Sequence, residues 1–261
     1  MVVATYNVHA CVGVDRRYDP DRVAAVIREL DADIVALQEV SARDRRGTMI
    51  DEFVYLAKVT GFDAVPGPCL IDRRGIFGNV LLTRRPVKAV RRIDLSIPGR
   101  EPRGAIDVDV ATVGGDVRVI ATHLGLRPAE RRQQVANLLK ALDAAESDCR
   151  PSILLGDLNE WRRRGGSLQP LETNFDPTPV SSTFPSWCPV LSLDRIFASG
   201  GNGNAGPSVA AQVHRSRGAR VASDHLPLRA VITWDVAGDV AKGATRDAAA
   251  TCPTLVRSEA A

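Results

Sequence analysis

Two hydrophobic rhythms alternate along the chain: short unbroken apolar runs that stop at a polar residue, and longer stretches in which apolar residues recur every three or four positions. Residues 2–8 are rich in β-branched side chains and predict a buried strand that delivers Asn7, and then His9, at its carboxyl end. Residues 33–40 repeat the pattern and stop at Gln38 and Glu39. Similar runs predict strands at 78–83, 87–95, 105–111, 117–122, 153–155, 193–198 and 228–234. Helical spacing appears after Asp19-Pro20, through Val23, Val26, Ile27 and Leu30, with Asp19 as cap and Pro20 in the first turn. It recurs at 49–60 and, most clearly, at 128–145, where Val135, Leu138, Leu139 and Leu142 form one stripe.

Strands that follow one another without a helix between them argue against an all-parallel, doubly wound sheet. They favour an α/β (α+β) architecture of mostly antiparallel sheets packed together with helices outside. The pattern predicts one catalytic domain over residues 1–235. Beyond it, residues 236–261 are rich in Ala, Asp, Gly and Thr and predict a disordered tail. The Gly- and Asn-rich residues 200–207 predict a flexible loop.

Composition narrows the class. With 261 residues, 44% hydrophobic and 25% charged, the chain suits one globular domain and excludes a fibrous or wholly disordered protein. A formal charge of +3 permits a polyanionic substrate but is short of a dedicated nucleic-acid binder. The five cysteines form no Cys-x-x-Cys pair and read as reduced thiols. Nothing approaches the roughly 18 apolar residues of a membrane span, so a soluble, cytoplasmic protein without an obligate protein partner is expected.

The polar residues that end the runs are Asn7, Glu39, Asn79, His123, Asp157, Asn159, Asp194, Asp224 and His225. Each has a plain structural reading as a turn, cap or ion pair. Together they make the kit for hydrolysing a phosphate ester. Carboxylates suit Mg²⁺, with Mn²⁺ as a substitute, and a histidine oriented by an aspartate can take a proton from water near neutral pH. Zinc is the competing metal, but His9, His123, His214 and His225 have no recognised ligand spacing.

The segments Thr5-Tyr6-Asn7-Val8, Asp33 through Val40, Gly78-Asn79-Val80, Thr122-His123-Leu124, Gly156-Asp157-Leu158-Asn159, Leu193-Asp194-Arg195 and Ser223-Asp224-His225 occur in one order. In that order the chain resembles the endonuclease/exonuclease/phosphatase superfamily, which includes deoxyribonuclease I and the abasic-site endonucleases. The resemblance implies a four-layer α/β/β/α sandwich with its site at one edge of the sheets. It implies Glu39 as principal metal ligand with Asn7 and Asp224 close by, and Asp157 and Asn159 orienting the attacking water and the phosphate. It further implies His225 as general base oriented by Asp194, with Asp157 the alternative base, and His123 at the phosphoryl oxygens or leaving group. One departure is His9, where abasic-site endonucleases carry an aspartate.

Candidate substrate-binding residues are Asn79, Arg103 and Arg127, with Arg131 and Arg162–Arg164 nearby in sequence. Tyr6 and Trp161 are the aromatics expected near the site, and Phe184 and Trp187 are expected to shape a pocket. Aromatics are only 5% of residues, too few for stacking along an extended nucleic acid. A phosphodiester such as a phospholipid headgroup or small nucleotide is therefore the first expectation. The alternatives are a DNA or RNA nuclease, a phosphomonoesterase acting on a sugar or inositol phosphate, and, remotely, a non-catalytic binding module.

Overall fold

The computed structural model describes residues 1–234 except 46–47, 145–149, 163–165, 177 and 202–205. The expected tail at 236–261 and the middle of the expected loop at 200–207 lie outside the described residues.

Strands β1 (Val2–Asn7), β2 (Ile34–Arg45), β3 (Thr48–Met49), β4 (Asp63–Asp72), β5 (Gly75–Thr83), β11 (Ser208–Val213) and β12 (Leu228–Thr233) build one sheet. Its order is β11-β12-β1-β2-β5-β4, and β3 pairs with β2 off that path. A second sheet runs β10-β9-β8-β7-β6, from β6 (Val87–Asp94), β7 (Gly104–Thr112), β8 (Gly115–His123), β9 (Ser152–Asp157) and β10 (Asp194–Ser199). Helices α1 (Pro20–Glu29), α2 (Glu52–Thr60) and the short α5 (Ala219–Ala222) accompany the first sheet, while α3 (Pro128–Ala144) and α4 (Gln169–Asn174) accompany the second.

Three hydrophobic layers separate the four structural ones, and the two-residue period of the strands assigns each side chain to a layer. Ala4, Tyr6, Val35 and Leu37 face α1 and α2. Val3, Ile34, Ile153, Leu155 and Ile196 fill the space between the sheets. Leu154, Leu158 and Phe197 meet α3 and α4. The result is the expected α/β/β/α sandwich.

Local chemistry sets the boundaries. Asp19 Oδ1 accepts from the Arg22 amide at 2.9 Å, so α1 starts at the cap read from sequence. The helix expected at 49–60 begins at Glu52, because the Asp51 side chain caps the amides of Phe53 and Val54 while Thr48 and Met49 pair with β2. Strand β4 has no counterpart among the expected elements. It carries Pro66 and Pro68, which an edge strand tolerates and a central one does not.

Candidate active site

Both sheets are largely antiparallel, yet each contains one parallel pair, β1 with β2 and β8 with β9. Parallel pairing sets two carboxyl ends side by side, so Asn7 lies opposite Gln38 and His123 opposite Asp157. Strand β10 runs antiparallel to β9 and starts at the same edge, with Asp194 opposite Asp157. In each strand the site residue continues the row that faces the other sheet: Val3, Thr5, Asn7; Ile153, Leu155, Asp157; Asp194, Ile196, Ala198.

Glu39 reaches this space by a different route. An uninterrupted β2 would put it in phase with Val35 and Leu37, toward the helices. Between Leu37 and Val40 the strand holds one residue more than β5 does, and Glu39 takes a left-handed φ of 58°. This bulge turns the carboxylate toward the site, a strained conformation of the kind found at functional positions.

At the site, one amide bridges the two sheets. Asn7 Nδ2 donates to Glu39 Oε1 at 2.9 Å and to Asp157 Oδ2 at 3.0 Å. Asp157 Oδ1 accepts from the Asn159 backbone amide at 3.0 Å. Its Oδ2 lies 3.5 Å from His123 Nε2 and 3.7 Å from His225 Nε2, so two imidazoles flank one carboxylate.

The two histidines are in opposite electrostatic settings. Burial and the nearby Arg103 cation push His123 down to about 3. Asn159 Nδ2 donates both to His123 Nε2 at 3.1 Å and to the Leu124 carbonyl at 2.9 Å. The neutral ring therefore accepts at Nε2, and Asn159 keeps its Oδ1 as the uncommitted atom. For His225, burial opposes charging, but Asp194, Asp157 and Asp224 outweigh it and hold the ring up to about 10. His225 Nδ1 is 2.9 Å from Asp194 Oδ2, which also accepts from Thr183 Oγ1 at 2.5 Å. The Phe184 ring packs on that imidazole with centroids 4.9 Å apart.

The donor set fits a hard divalent cation. Burial, and then the Asp157 charge, raise the Glu39 carboxyl above the usual carboxylate range, and no Lys or Arg pairs with it among the described residues. Asp194 Oδ1 is buried without a hydrogen-bond partner. Asp157, Asp194 and His225 offer ligand atoms all within 4.8 Å of one another and could themselves hold a metal. Asp194 Oδ2 and His225 Nδ1 already satisfy each other, so the donors available to a cation are Asp194 Oδ1 and the oxygens of Glu39 and Asp157 beside Asn7.

The other expected residues are placed as follows. Asp224 sits at the rim, its Oδ1 3.9 Å from His9 Nδ1, and Ser223 Oγ fastens that loop to the Asn7 carbonyl at 2.7 Å. Asn79 Nδ2 donates across the sheets to the Gly104 carbonyl at 3.2 Å. Arg103 is buried beside His123, pairs with Glu101 at 2.6 Å and keeps a buried Nε without a partner. Arg127 is exposed at the start of α3.

Two expectations need correction. Tyr6 does not approach the site: it alternates with Thr5 and Asn7 and lies in the layer under α1. Arg131 is fully buried and spent on structure, donating to Ser167, the Gly125 and Leu126 carbonyls and Glu160. Thr183 joins the site without a signal in the sequence, because its bond to Asp194 depends on tertiary contact.

A four-layer sandwich with carboxylates, amides and two histidines gathered where its sheets meet defines a hydrolase of the phosphoesterase class. The sequence profile described as the Endonuclease/Exonuclease/phosphatase family matches residues 4–225, and the chain belongs to that family. Family members are phosphoester hydrolases that generally use a divalent metal. The chain is 28% identical to the protein YbhP of Escherichia coli K12 over 246 residues, covering 88% of this chain and 95% of YbhP. It is similar to an endonuclease/exonuclease/phosphatase of Beutenbergia cavernae, with 26% identity, a TM-score of 0.69, and 90% and 71% of the two chains covered. It shares the fold of a mannosyl-6-phosphatase of Bacteroides thetaiotaomicron at 16% identity and a TM-score of 0.64, covering 90% of this chain and all of the other. No helix among the described residues is long and apolar enough to cross a membrane.

Proposed function

We propose that the chain is a Mg²⁺-dependent phosphodiesterase, with Mn²⁺ as a working substitute, that hydrolyses its substrate by attack of activated water at phosphorus. The observation that carries this reading is the Asn7 amide shared between Glu39 and Asp157, with His123 and His225 on either side of Asp157.

Glu39, with Asn7 and Asp224 near it, would hold the metal, which would supply Lewis-acid stabilisation of the phosphoryl charge. Asp157 and Asn159 Oδ1 are acceptors able to orient the attacking water. The proton it loses has Asp157 Oδ2 as acceptor, while His225, whose ring the surrounding aspartates hold charged, donates from Nε2 3.7 Å from that oxygen. Asp194 fixes the His225 ring so that Nε2 faces the reacting centre. His123 holds the Asn159 amide in place.

A diester is favoured over a dianionic monoester because the buried arginines closest to the site in sequence are already committed. Arg131 is consumed by Glu160 and Ser167, and Arg103 is already paired with Glu101. The discriminating test is hydrolysis of bis(p-nitrophenyl) phosphate against p-nitrophenyl phosphate with Mg²⁺, Mn²⁺ or EDTA. The expected result is metal-dependent cleavage of the diester, reduced about 10²- to 10⁴-fold in His225→Ala and in Asp157→Asn. Cleavage of neither ester with any metal would rule the reading out, and faster cleavage of the monoester would move it to a phosphatase.

A further inference from the structure

Nine large hydrophobic side chains are exposed among the described residues, and their distribution over the molecule is uneven. Val54, Val90 and Val113 are scattered over α2, β6 and the β7–β8 turn. Of the other six, Val14, Leu126, Trp161, Trp187 and Val190 lie on loops at the sheet edge that holds the site, and Ile71 lies near the end of β4 at that edge.

Strand pairing fixes that placement. Val14 follows the carboxyl end of β1, and Leu126 lies three residues past His123 at the end of β8. Trp161 is two residues past Asn159, while Trp187 and Val190 flank the entry to β10, whose first residue is Asp194. Ile71 sits at the tip of the β4–β5 hairpin, which continues past the Glu39 bulge alongside the last residues of β2. Ile71, Leu126 and Trp187 are 71%, 69% and 69% exposed, values a folded core does not call for.

Charge accompanies the apolar residues. Exposed Arg16, Arg73 and Arg127 stand within two residues of Val14, Ile71 and Leu126, and none of them makes an ion pair among the described residues. The neighbouring acids are engaged: Asp15 pairs with Arg22 at 2.8 Å, and Asp72 contacts Arg74 at 3.7 Å.

We propose that this edge docks onto an anionic phospholipid bilayer and presents a lipid headgroup diester to the site, the second half resting on the phosphodiesterase reading above. Aliphatic Val14, Ile71, Leu126 and Val190 have no π-face on which a nucleobase could stack, but they can enter the acyl boundary. Trp161 and Trp187 suit the headgroup level, and the arginines suit anionic lipid.

The test is cosedimentation of the full chain with phosphatidylcholine vesicles, with vesicles also containing phosphatidylglycerol, and with a single-stranded oligonucleotide as competitor. Hydrolysis of soluble bis(p-nitrophenyl) phosphate is measured separately. Expected is binding to the anionic vesicles, with a blue shift of tryptophan emission. Partitioning should weaken by about tenfold or more in Ile71→Ser/Leu126→Ser and stay unchanged in Val113→Ser on the opposite edge. Soluble diester hydrolysis should be unaltered in both variants. Absence of vesicle binding, undiminished binding by the double variant, or oligonucleotide binding in place of vesicle binding would each overturn the docking proposal. Docking without diester hydrolysis would instead remove the phosphodiesterase reading and leave the surface standing.

Discussion

Replacing Gly156 with alanine should damage stability and site together. Gly156 precedes Asp157 and pairs with Thr122 on β8 and Arg195 on β10, at a φ of 155°. A Cβ there would lie 1.8 Å from the Thr122 carbonyl oxygen and 2.9 Å from its carbon. Relief requires β8 and β9 to part by more than about 1 Å, against a normal interstrand spacing near 4.8 Å. Overpacking costs about 1–3 kcal/mol, a strained φ/ψ a similar amount, and a disrupted buried ladder hydrogen bond about 1–3 kcal/mol. Because these overlap, a total of about 3–6 kcal/mol is expected, a large share of the stability of an ordinary domain. In urea that corresponds to a midpoint lower by about 1 M or more. Gly114→Ala is the control, since nothing lies within 4 Å of its Cβ position. A Gly156→Ala midpoint within about 0.3 M of that control would refute the packing argument. At temperatures where the variant stays folded, diester hydrolysis should still fall, because Asp157 is displaced from His123 and His225.

Two further perturbations address the buried charges. Glu160 is 2% exposed and receives hydrogen bonds from Arg131 and Ser167. Although burial opposes its charge, those bonds lower the carboxyl to about 2. A depressed folded value means that its stabilisation is complete above the ordinary value near 4.5 and disappears as pH falls toward 2. Glu160→Gln should therefore lower the melting temperature at neutral pH, by an amount equivalent to about 3–5 kcal/mol for a broken buried pair. That gap should narrow steadily below about pH 4.5, and a gap independent of pH would contradict the assignment. Asn7→Ala should weaken Mn²⁺ binding by about 10- to 100-fold in a calorimetric titration, because the Glu39 and Asp157 carboxylates lose their shared donor; unchanged affinity would place the metal elsewhere.

Much of this site was legible because an apolar run that ends in a carboxylate, amide or imidazole is costly unless the polar group has work at the strand end. Asn7, His123, Asp157 and Asp194 announce themselves in this way. Glu39 announces its chemistry but not its direction: strict alternation points it at the helices, and only the bulge reverses it. For Tyr6 the same alternation held the right answer, since it is out of phase with Asn7. Arg131 could not be resolved, because its neighbours in sequence place it beside the site while its partner Glu160 is 29 residues away. Strand β4 was hidden by Pro66, Gly67 and Pro68, residues that read as a loop and are tolerated only at an edge.

The placement of the chemistry follows from a topological exception. A purely antiparallel sandwich would send neighbouring strand ends to opposite edges, and its polar termini would be divided between them. One parallel pair in each sheet brings Asn7 beside Glu39 and His123 beside Asp157 at a single edge, and face-to-face packing then closes the set through the 3.0 Å bond from Asn7 to Asp157. The strands thereby fix the reacting groups in rigid ladders. The long connections at the same edge, residues 8–19, 95–103, 158–193 and 214–227, add Asn159, Asp224 and His225 to the site, and the rest of their length can vary with substrate. On this division of labour, the ladder residues report that a phosphoester is cleaved, and the loops report which one. On the docking proposal, the exposed Val14, Trp161, Trp187 and Val190 in these connections, with Ile71 and Leu126 on neighbouring segments of the same edge, bear on which phosphoester is chosen.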